Sequence, residues 1–210
     1  MARDPLRHLT EAGLIERTRL DSRHEVVTLT MRGRDLLEAG RLDRSQEARQ
    51  AFYAGVRKPR ELTHDSQVYR AYLRAEARLR GAGARIERVV LDYELKRDYQ
   101  SFLQARNRGR EDSDGRPDRT PEEIQLLAYQ HHLPYEDENV EFPACRIEYE
   151  DRDGRSREEG LEIVTPHYRG AHAAGAAKSG FTCYAIGVRT IEGRRGGRPF
   201  DPRVAEEFFE

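Results

Sequence analysis

The segment from residue 142 to residue 165 constrains the fold of this chain more than any other. It reads FPACRIEYE, then DRDG, then REEGLEIVT, so two β-rich runs are joined by an Asp-Gly turn signal. A signal of this kind between two alternating runs predicts a β-hairpin. We therefore expect antiparallel strands at 142–150 and 157–165, with a turn at 151–154.

Helical and strand patterns surround this hairpin. Val68, Tyr72, Ala75 and Leu79 recur at helical spacing and predict a helix over 62–79, with Thr63 as its N-cap. A strand over 86–95 and a helix over 98–106 follow. Thr120 is expected to cap a helix that begins at Pro121. The remaining expected elements are a helix over 121–132, a helix over 168–179, a strand over 181–188 and a short helix over 202–209.

The first 45 residues show a different order. Leu6, Leu9 and the pair Leu14-Ile15 have helical spacing, and Gly13 ends that helix. A polar gap over 16–24 leads to a β-rich run over 25–30, after which Thr30 is expected to cap another helix. The order is therefore helix, short strand, charged turn, strand, helix.

This N-terminal pattern resembles a known DNA-binding fold. The spacing L-x-x-L-x-x-x-G-L-I, a charged turn and V-T-L-T-x-x-G-x-x-L-L over residues 5–40 resemble the recognition helix and wing of bacterial winged-helix regulators. Such domains normally have two helices before the recognition helix, so residues 1–45 are expected to form a partial winged helix. A connector over 46–61 would follow. The resemblance implies DNA contacts from the basic residues Arg3, Arg7, Arg17, Arg19 and Arg23.

The second part resembles another fold. If a helical insertion at about 98–135 is left aside, the element order over 62–190 is αβββαβ, followed by a tail over 191–210. This order resembles the restriction-endonuclease-like, or PD-(D/E)XK, fold. The overall fold class expected is thus α+β. The two parts together resemble bacterial replication-relaxation-type proteins and related mobile-element or regulatory proteins, which implies DNA transactions.

The nuclease resemblance implies a definite site. Such enzymes hold Mg²⁺ with a carboxylate that follows a proline on the second strand and with another on the third, and a lysine lies two residues further along. Here the proline is Pro143, but Ala144 follows it. Glu162 is the third-strand carboxylate, and Val164 replaces the lysine. If the site is active, Glu148 would be the second metal ligand and Lys178 the displaced cation.

Two further groups are candidates. Asp92, Glu94 and Lys96 alternate along the predicted strand 86–95, which would place a carboxylate pair and a lysine on one face. A charged strand face without any site is the open alternative. In the second group, His167, Tyr168 and Arg169 stand at a predicted helix start, where phosphate binds readily; a simple helix cap is the alternative.

Charge and composition limit the function classes. Residues 1–60 and 61–110 each carry a net charge of +4, whereas residues 111–165 carry −11. A basic first half suits contact with nucleic acid. Apolar runs are too short for a transmembrane helix. Two cysteines without a secretion signal suggest reduced core thiols and a cytoplasmic protein.

These observations favour a DNA-binding or regulatory protein whose nuclease-like domain is not an enzyme and needs no cofactor. One alternative is an active Mg²⁺-dependent endonuclease. The other is a protein-interaction module that forms homodimers through its winged helix and binds no DNA. No membrane partner is expected.

Overall fold

The structure is a computed structural model that describes residues 4–42, 50–56, 58–111, 116–164, 179–185 and 199–200. It has a mixed α+β architecture and divides into two compact units, residues 1–70 and 71–210. The division falls inside a helix, whereas the sequence suggested it at residue 62. Within the described ranges, no helix is both long and apolar enough to cross a membrane.

The first unit contains a β-hairpin between two helices. Thr30 ends the hairpin and caps the following helix, as predicted, because its Oγ1 accepts a hydrogen bond from the Gly33 N–H at 3.1 Å. The predicted polar gap is wrong over residues 16–19, because these residues pair with the second strand. The elements are α1 (Pro5–Glu11), β1 (Ile15–Arg19), β2 (Glu25–Leu29) and α2 (Met31–Leu42).

A close backbone approach fixes α2 against the start of this hairpin. The Thr30 hydroxyl donates to the Gly13 carbonyl oxygen at 2.6 Å. A Cβ atom at Gly33 would lie only 2.0 Å from the Leu14 carbonyl oxygen. Glycine is therefore required at position 33 for the helix to approach this closely.

The long helix α3 (Leu62–Gly81) follows a 3₁₀ turn at Pro59–Glu61. Val68, Ala75 and Leu79 are buried, as their spacing predicts. The N-cap prediction for Thr63 is wrong, because the 3₁₀ turn leads directly into the helix and places Thr63 inside its first turn.

A mixed sheet forms the body of the second unit. Its strand order is β3-β6-β7-β8-β9, in which only the β7–β8 pair is parallel. The predicted hairpin is confirmed as β6 and β7, and its turn closes with a hydrogen bond from the Gly154 N–H to the Asp151 carbonyl oxygen. The strands are β3 (Arg85–Leu91), β6 (Cys145–Glu150), β7 (Ser156–Val164), β8 (Thr182–Ala185) and β9 (Pro199–Phe200).

Two helices and a small hairpin are described between β3 and β6. The Thr120 cap is confirmed, since its Oγ1 accepts from the Glu123 N–H at 3.3 Å. The strand predicted over 86–95 is wrong beyond Leu91, where a helix begins. A small hairpin near residue 137 was not predicted. These elements are α4 (Asp92–Leu103), α5 (Pro121–Gln130), β4 (Tyr135–Glu136) and β5 (Asn139–Val140).

The two faces of the sheet differ in chemistry. Cys145 and Ile147 share one face with Leu161 and Ile163, and all four are fully buried. Cys183 is also buried, and both cysteines are free thiols, as predicted for core residues. The opposite face of β6 and β7 carries Arg146, Glu148, Glu158, Gly160 and Glu162. The helices predicted over 168–179 and 202–209 lie outside the described residues.

Candidate functional site

Glu162 occupies the third-strand position expected of a nuclease-like site. It lies on β7 with 7% of its surface exposed, and its Oε1 accepts a hydrogen bond from the Ile163 N–H at 3.0 Å. The β6–β7 ladder ends at the Cys145–Leu161 pair, with Ala144 one residue before Cys145 and Glu162 one residue after Leu161. The position after Pro143, where the second carboxylate is expected, therefore holds a methyl group.

Ala144 also adjoins the end of β3. The Asp92 N–H donates a hydrogen bond to the Ala144 carbonyl oxygen at 3.3 Å, one step beyond the Leu91–Cys145 pair. In the sheet order β3-β6-β7, the row Asp92, Ala144 and Glu162 thus consists of the residue after β3, the residue before β6 and a residue of β7.

Electrostatics also links Asp92 and Glu162. Burial raises the pKa of the Cys145 thiol to about 12, and the negative charges of Glu162 and Asp92 add to the increase. Both carboxylates therefore act on one buried sulfur atom.

Glu148 does not lie beside Glu162. The register pairs Glu148 with Glu158, four residues along β7 from Glu162. At about 3.4 Å per residue this separates the two predicted metal ligands by ~14 Å, which is too far for a shared ion. Burial raises the pKa of Glu148, and Glu158 adds to the increase, whereas Arg88 and Arg146 oppose it.

The alternative strand site is not a strand face. Asp92 begins α4, and the Glu94 carboxylate accepts a hydrogen bond from the Leu91 N–H at 3.1 Å, which caps the helix. Glu94 is buried and forms an ion pair with Arg88 at 3.1 Å. Lys96 pairs with Asp92 at 2.8 Å across one helical turn. Glu94 therefore has a structural role, and only Asp92 and Lys96 remain near Ala144.

Sequence reasoning missed Arg146, the buried cation of this face. Its side chain is 8% exposed and donates through Nη2 to the His131 carbonyl oxygen at 2.7 Å, at the C-terminal end of α5. Glu158 bridges Arg146 Nη1 at 3.3 Å and His132 Nδ1 at 3.0 Å. The signal was available, because Arg146 stands between two apolar residues of the predicted strand.

A cleft of about 640 Å³ opens over this face. Gly160 forms part of its floor, where a Cβ atom would come within 2.6 Å of the Phe181 ring. The charged side chains around it include both signs: Glu87, His132, Arg146, Glu148, Arg157 and Glu158. Among the described residues, no group of three or more His, Cys, Asp or Glu side chains is arranged to hold a metal ion.

The hairpin of the first unit carries the predicted DNA-contacting arginines. Arg17 donates through Nε to Glu25 at 2.9 Å, and Arg19 donates through Nε to the Asp21 carbonyl oxygen at 3.2 Å. Arg7 pairs with Glu11 on α1 at 2.8 Å. Arg23 is exposed beside the turn. Arg3, His167, Tyr168, Arg169 and Lys178 lie outside the described residues.

Comparison with known proteins identifies no relative of this chain. No protein-family model matches the chain, and the searches of curated proteins and of solved structures find no match. The function is therefore inferred from the residues and geometry described above.

Proposed function

We propose that this chain is a DNA-binding or regulatory protein in which a nuclease-like domain serves as a platform without catalytic activity. The exposed arginines of the first unit's hairpin, Arg19 and Arg23, would contact phosphate. The strand order and directions β3-β6-β7-β8, with α3 before them, support the restriction-endonuclease-like part of the proposal. That order follows the αβββ–β arrangement expected of such a domain.

One observation carries the non-catalytic part, namely that Ala144, and not a carboxylate, stands next to the Cys145–Leu161 pair that Glu162 follows. Two-carboxylate chemistry at Mg²⁺ needs an oxygen donor from each of the two strands. A methyl group supplies none, and Val164 supplies no cation two residues beyond Glu162. This domain would therefore bind a nucleic acid or a partner without cutting it.

The test is DNA binding measured by fluorescence anisotropy over a salt series. Duplex, branched and single-stranded DNA are each titrated in Mg²⁺ and in EDTA, and the same samples are checked for cleavage. We expect affinity to fall linearly on a log–log plot against salt, equally in both buffers, because phosphate contacts release counterions. Absence of binding to all three DNAs would refute the proposal.

A matched pair of variants locates the contact. Arg19→Ala/Arg23→Ala removes two exposed hairpin arginines, whereas Arg97→Ala/Arg108→Ala removes two exposed arginines of the second unit. Both change the net charge equally. We expect only the first to lower the salt slope, by about 0.9 per lost phosphate contact. Equal slopes for the two variants would argue against the hairpin.

A second candidate is the Mg²⁺-dependent nuclease, and one observation favours it. Asp92, at the start of α4, donates through its backbone N–H to Ala144, Glu162 lies one residue beyond the Cys145–Leu161 pair, and Lys96 pairs with Asp92. Carboxylates from both sides of a small residue can replace a missing one. If this is correct, cleavage requires Mg²⁺ or Mn²⁺ and is abolished by both Asp92→Asn and Glu162→Gln, whereas Glu148→Gln cleaves normally.

A further inference from the structure

The long helix α3 carries most of its basic and acidic residues on different sides. Arg70, Arg74 and Arg78 recur at intervals of four residues and therefore follow one flank of the helix. The acidic residues of the same helix, Asp65 and Glu76, lie roughly 160° around the axis from this flank at about 100° per residue. The flank is thus basic over residues 70–78.

Two of these arginines are available for a partner. Arg78 is already neutralised, because it donates to Glu159 at 2.6 Å. Arg70 and Arg74 are exposed, and neither has an ion pair or hydrogen bond within the part of the chain that the structure describes. Two exposed arginines, one helical turn from each other and with their Cβ atoms about 6 Å apart, are consequently available to a partner.

The other side chains of this flank identify the class of partner. Thr63 and Gln67 lie between or beside the arginines, so the flank consists of hydrogen-bond donors. The exposed apolar residues of the helix, Tyr69 and Leu73, lie about 100° and 60° around the axis from Arg70, on the side away from Arg74 and Arg78. The sector from Arg70 to Arg78 carries only donor side chains, and such a row fits a phosphate backbone. Binding to a membrane surface would combine these basic residues with inserted apolar ones, and the experiment below distinguishes the two.

We propose that Arg70 and Arg74 form a second contact with the phosphate backbone of nucleic acid. The three arginines span about 12 Å of helix, at about 1.5 Å per residue. One DNA strand presents a phosphate every ~3.4 Å along its axis, so it offers several phosphates over that length. Guanidinium groups suit such contacts because they bind phosphate in a bidentate manner. This inference rests on the proposed DNA-binding function.

The experiment compares two charge-matched double variants of the full chain. Arg70→Ala/Arg74→Ala removes the free pair, and Arg80→Ala/Arg85→Ala removes two exposed arginines that are paired with Glu76 and Glu87. DNA binding is measured over the same salt series as above. We expect the first variant to lower the salt slope by about 1.8, and the second to leave it near the wild-type value. Arg70→Lys/Arg74→Lys, which keeps both charges, should restore most of the slope.

Each outcome has a definite meaning. If wild-type protein binds DNA and the two alanine variants have the same slope, the α3 contact is refuted while the DNA-binding function stands. If wild-type protein binds no DNA, the function and the α3 contact both fail. If the Arg70→Ala/Arg74→Ala variant instead loses binding to phosphatidylserine vesicles and keeps its DNA slope, the flank is a membrane contact. Unchanged thermal unfolding of the variants excludes a folding defect.

Discussion

The Asp92 backbone N–H donates a hydrogen bond to the carbonyl oxygen of Ala144, which stands one residue before the Cys145–Leu161 pair that Glu162 follows. A residue with a methyl side chain is thus the middle member of the row Asp92, Ala144 and Glu162. This row is where a nuclease-like domain would hold its metal ion. It is also where the sequence departs from the pattern that such a domain requires.

Replacing Ala144 tests whether the row is otherwise complete. Ala144→Asp adds a carboxylate next to Glu162, and the like charges repel without a cation. We therefore expect this variant to be less stable than wild type in EDTA and to be stabilised by Mn²⁺. At a concentration of 100 times Kd, the gain is about 2.7 kcal/mol. Thermal unfolding with EDTA and with Mn²⁺ measures it. Ala144→Asn is the neutral control, and an equal response of the two variants to Mn²⁺ would count against the row as a latent metal site.

Arg146 joins the end of α5 to the sheet, and its removal should destabilise the second unit. Arg146→Ala leaves the His131 carbonyl oxygen and Glu158 without this donor in a largely buried position. The expected loss is about 1–3 kcal/mol of unfolding free energy. Arg157→Ala on the adjacent strand breaks only an exposed pair with Asp151, worth roughly 0–1 kcal/mol. Urea unfolding compares the two; equal midpoints would show that Arg146 is not a structural link.

Local patterns in the sequence predicted the hairpin of β6 and β7 and the caps at Thr30 and Thr120, because each depends on neighbouring residues alone. The change from strand to helix at Asp92 was not predictable from alternation. A glutamate at position 94 is compatible both with an alternating strand and with a helix cap. The backbone conformation at Leu91 determines which of the two forms. Strands of two residues, β4 and β5, are too short to show a period.

The candidate site was predictable only in part, because local patterns determine some of its relationships and long-range packing determines the others. The motif placed Glu162 and Ala144 at equivalent positions, since hairpin register follows from its turn. The same register places Glu148 opposite Glu158 and away from Glu162. The motif could not show that Arg146 contacts the end of α5, because that contact depends on how non-adjacent elements pack. The position of Asp92 beside Ala144 also depends on a hydrogen bond between residues that are far apart in the sequence.

Gly160 is required by the close approach of Phe181. A Cβ atom at this position would lie 2.6 Å from the Phe181 ring and 3.1 Å from Pro143 Cβ. Gly160→Ala should therefore cost roughly 1–3 kcal/mol of stability, as expected for overpacking. Gly81→Ala, where no atom lies within 4 Å, is the control and should be neutral or slightly stabilising. If Phe181→Leu restores the stability of Gly160→Ala, the clash is with this ring; equal stability of Gly160→Ala and Gly81→Ala would contradict the prediction.

The two cysteines should be unreactive in the folded protein. Both are almost completely buried, and burial raises the pKa of Cys145 to about 12 and that of Cys183 to about 11. Because the thiolate is the reactive form, a disulfide reagent near pH 8 should label neither residue until the protein unfolds. The exposed position in Ser101→Cys supplies a thiol that reacts at once. Rapid labelling of two thiols in folded wild-type protein would contradict the burial of this core.

Glu148 should make stability depend on pH in a direction opposite to that of an ordinary paired carboxylate. Burial raises its pKa above the usual value of 4.5 in the folded state, so folding favours the protonated form. Its stabilising contribution is present below the pKa of the unfolded chain and is lost as pH rises through the higher folded pKa. Relative to wild type, Glu148→Gln should therefore be more stable at about pH 7 than at about pH 4. Urea unfolding at both pH values measures this difference, with Glu150→Gln as the control; a difference independent of pH would mean that Glu148 titrates normally in the fold.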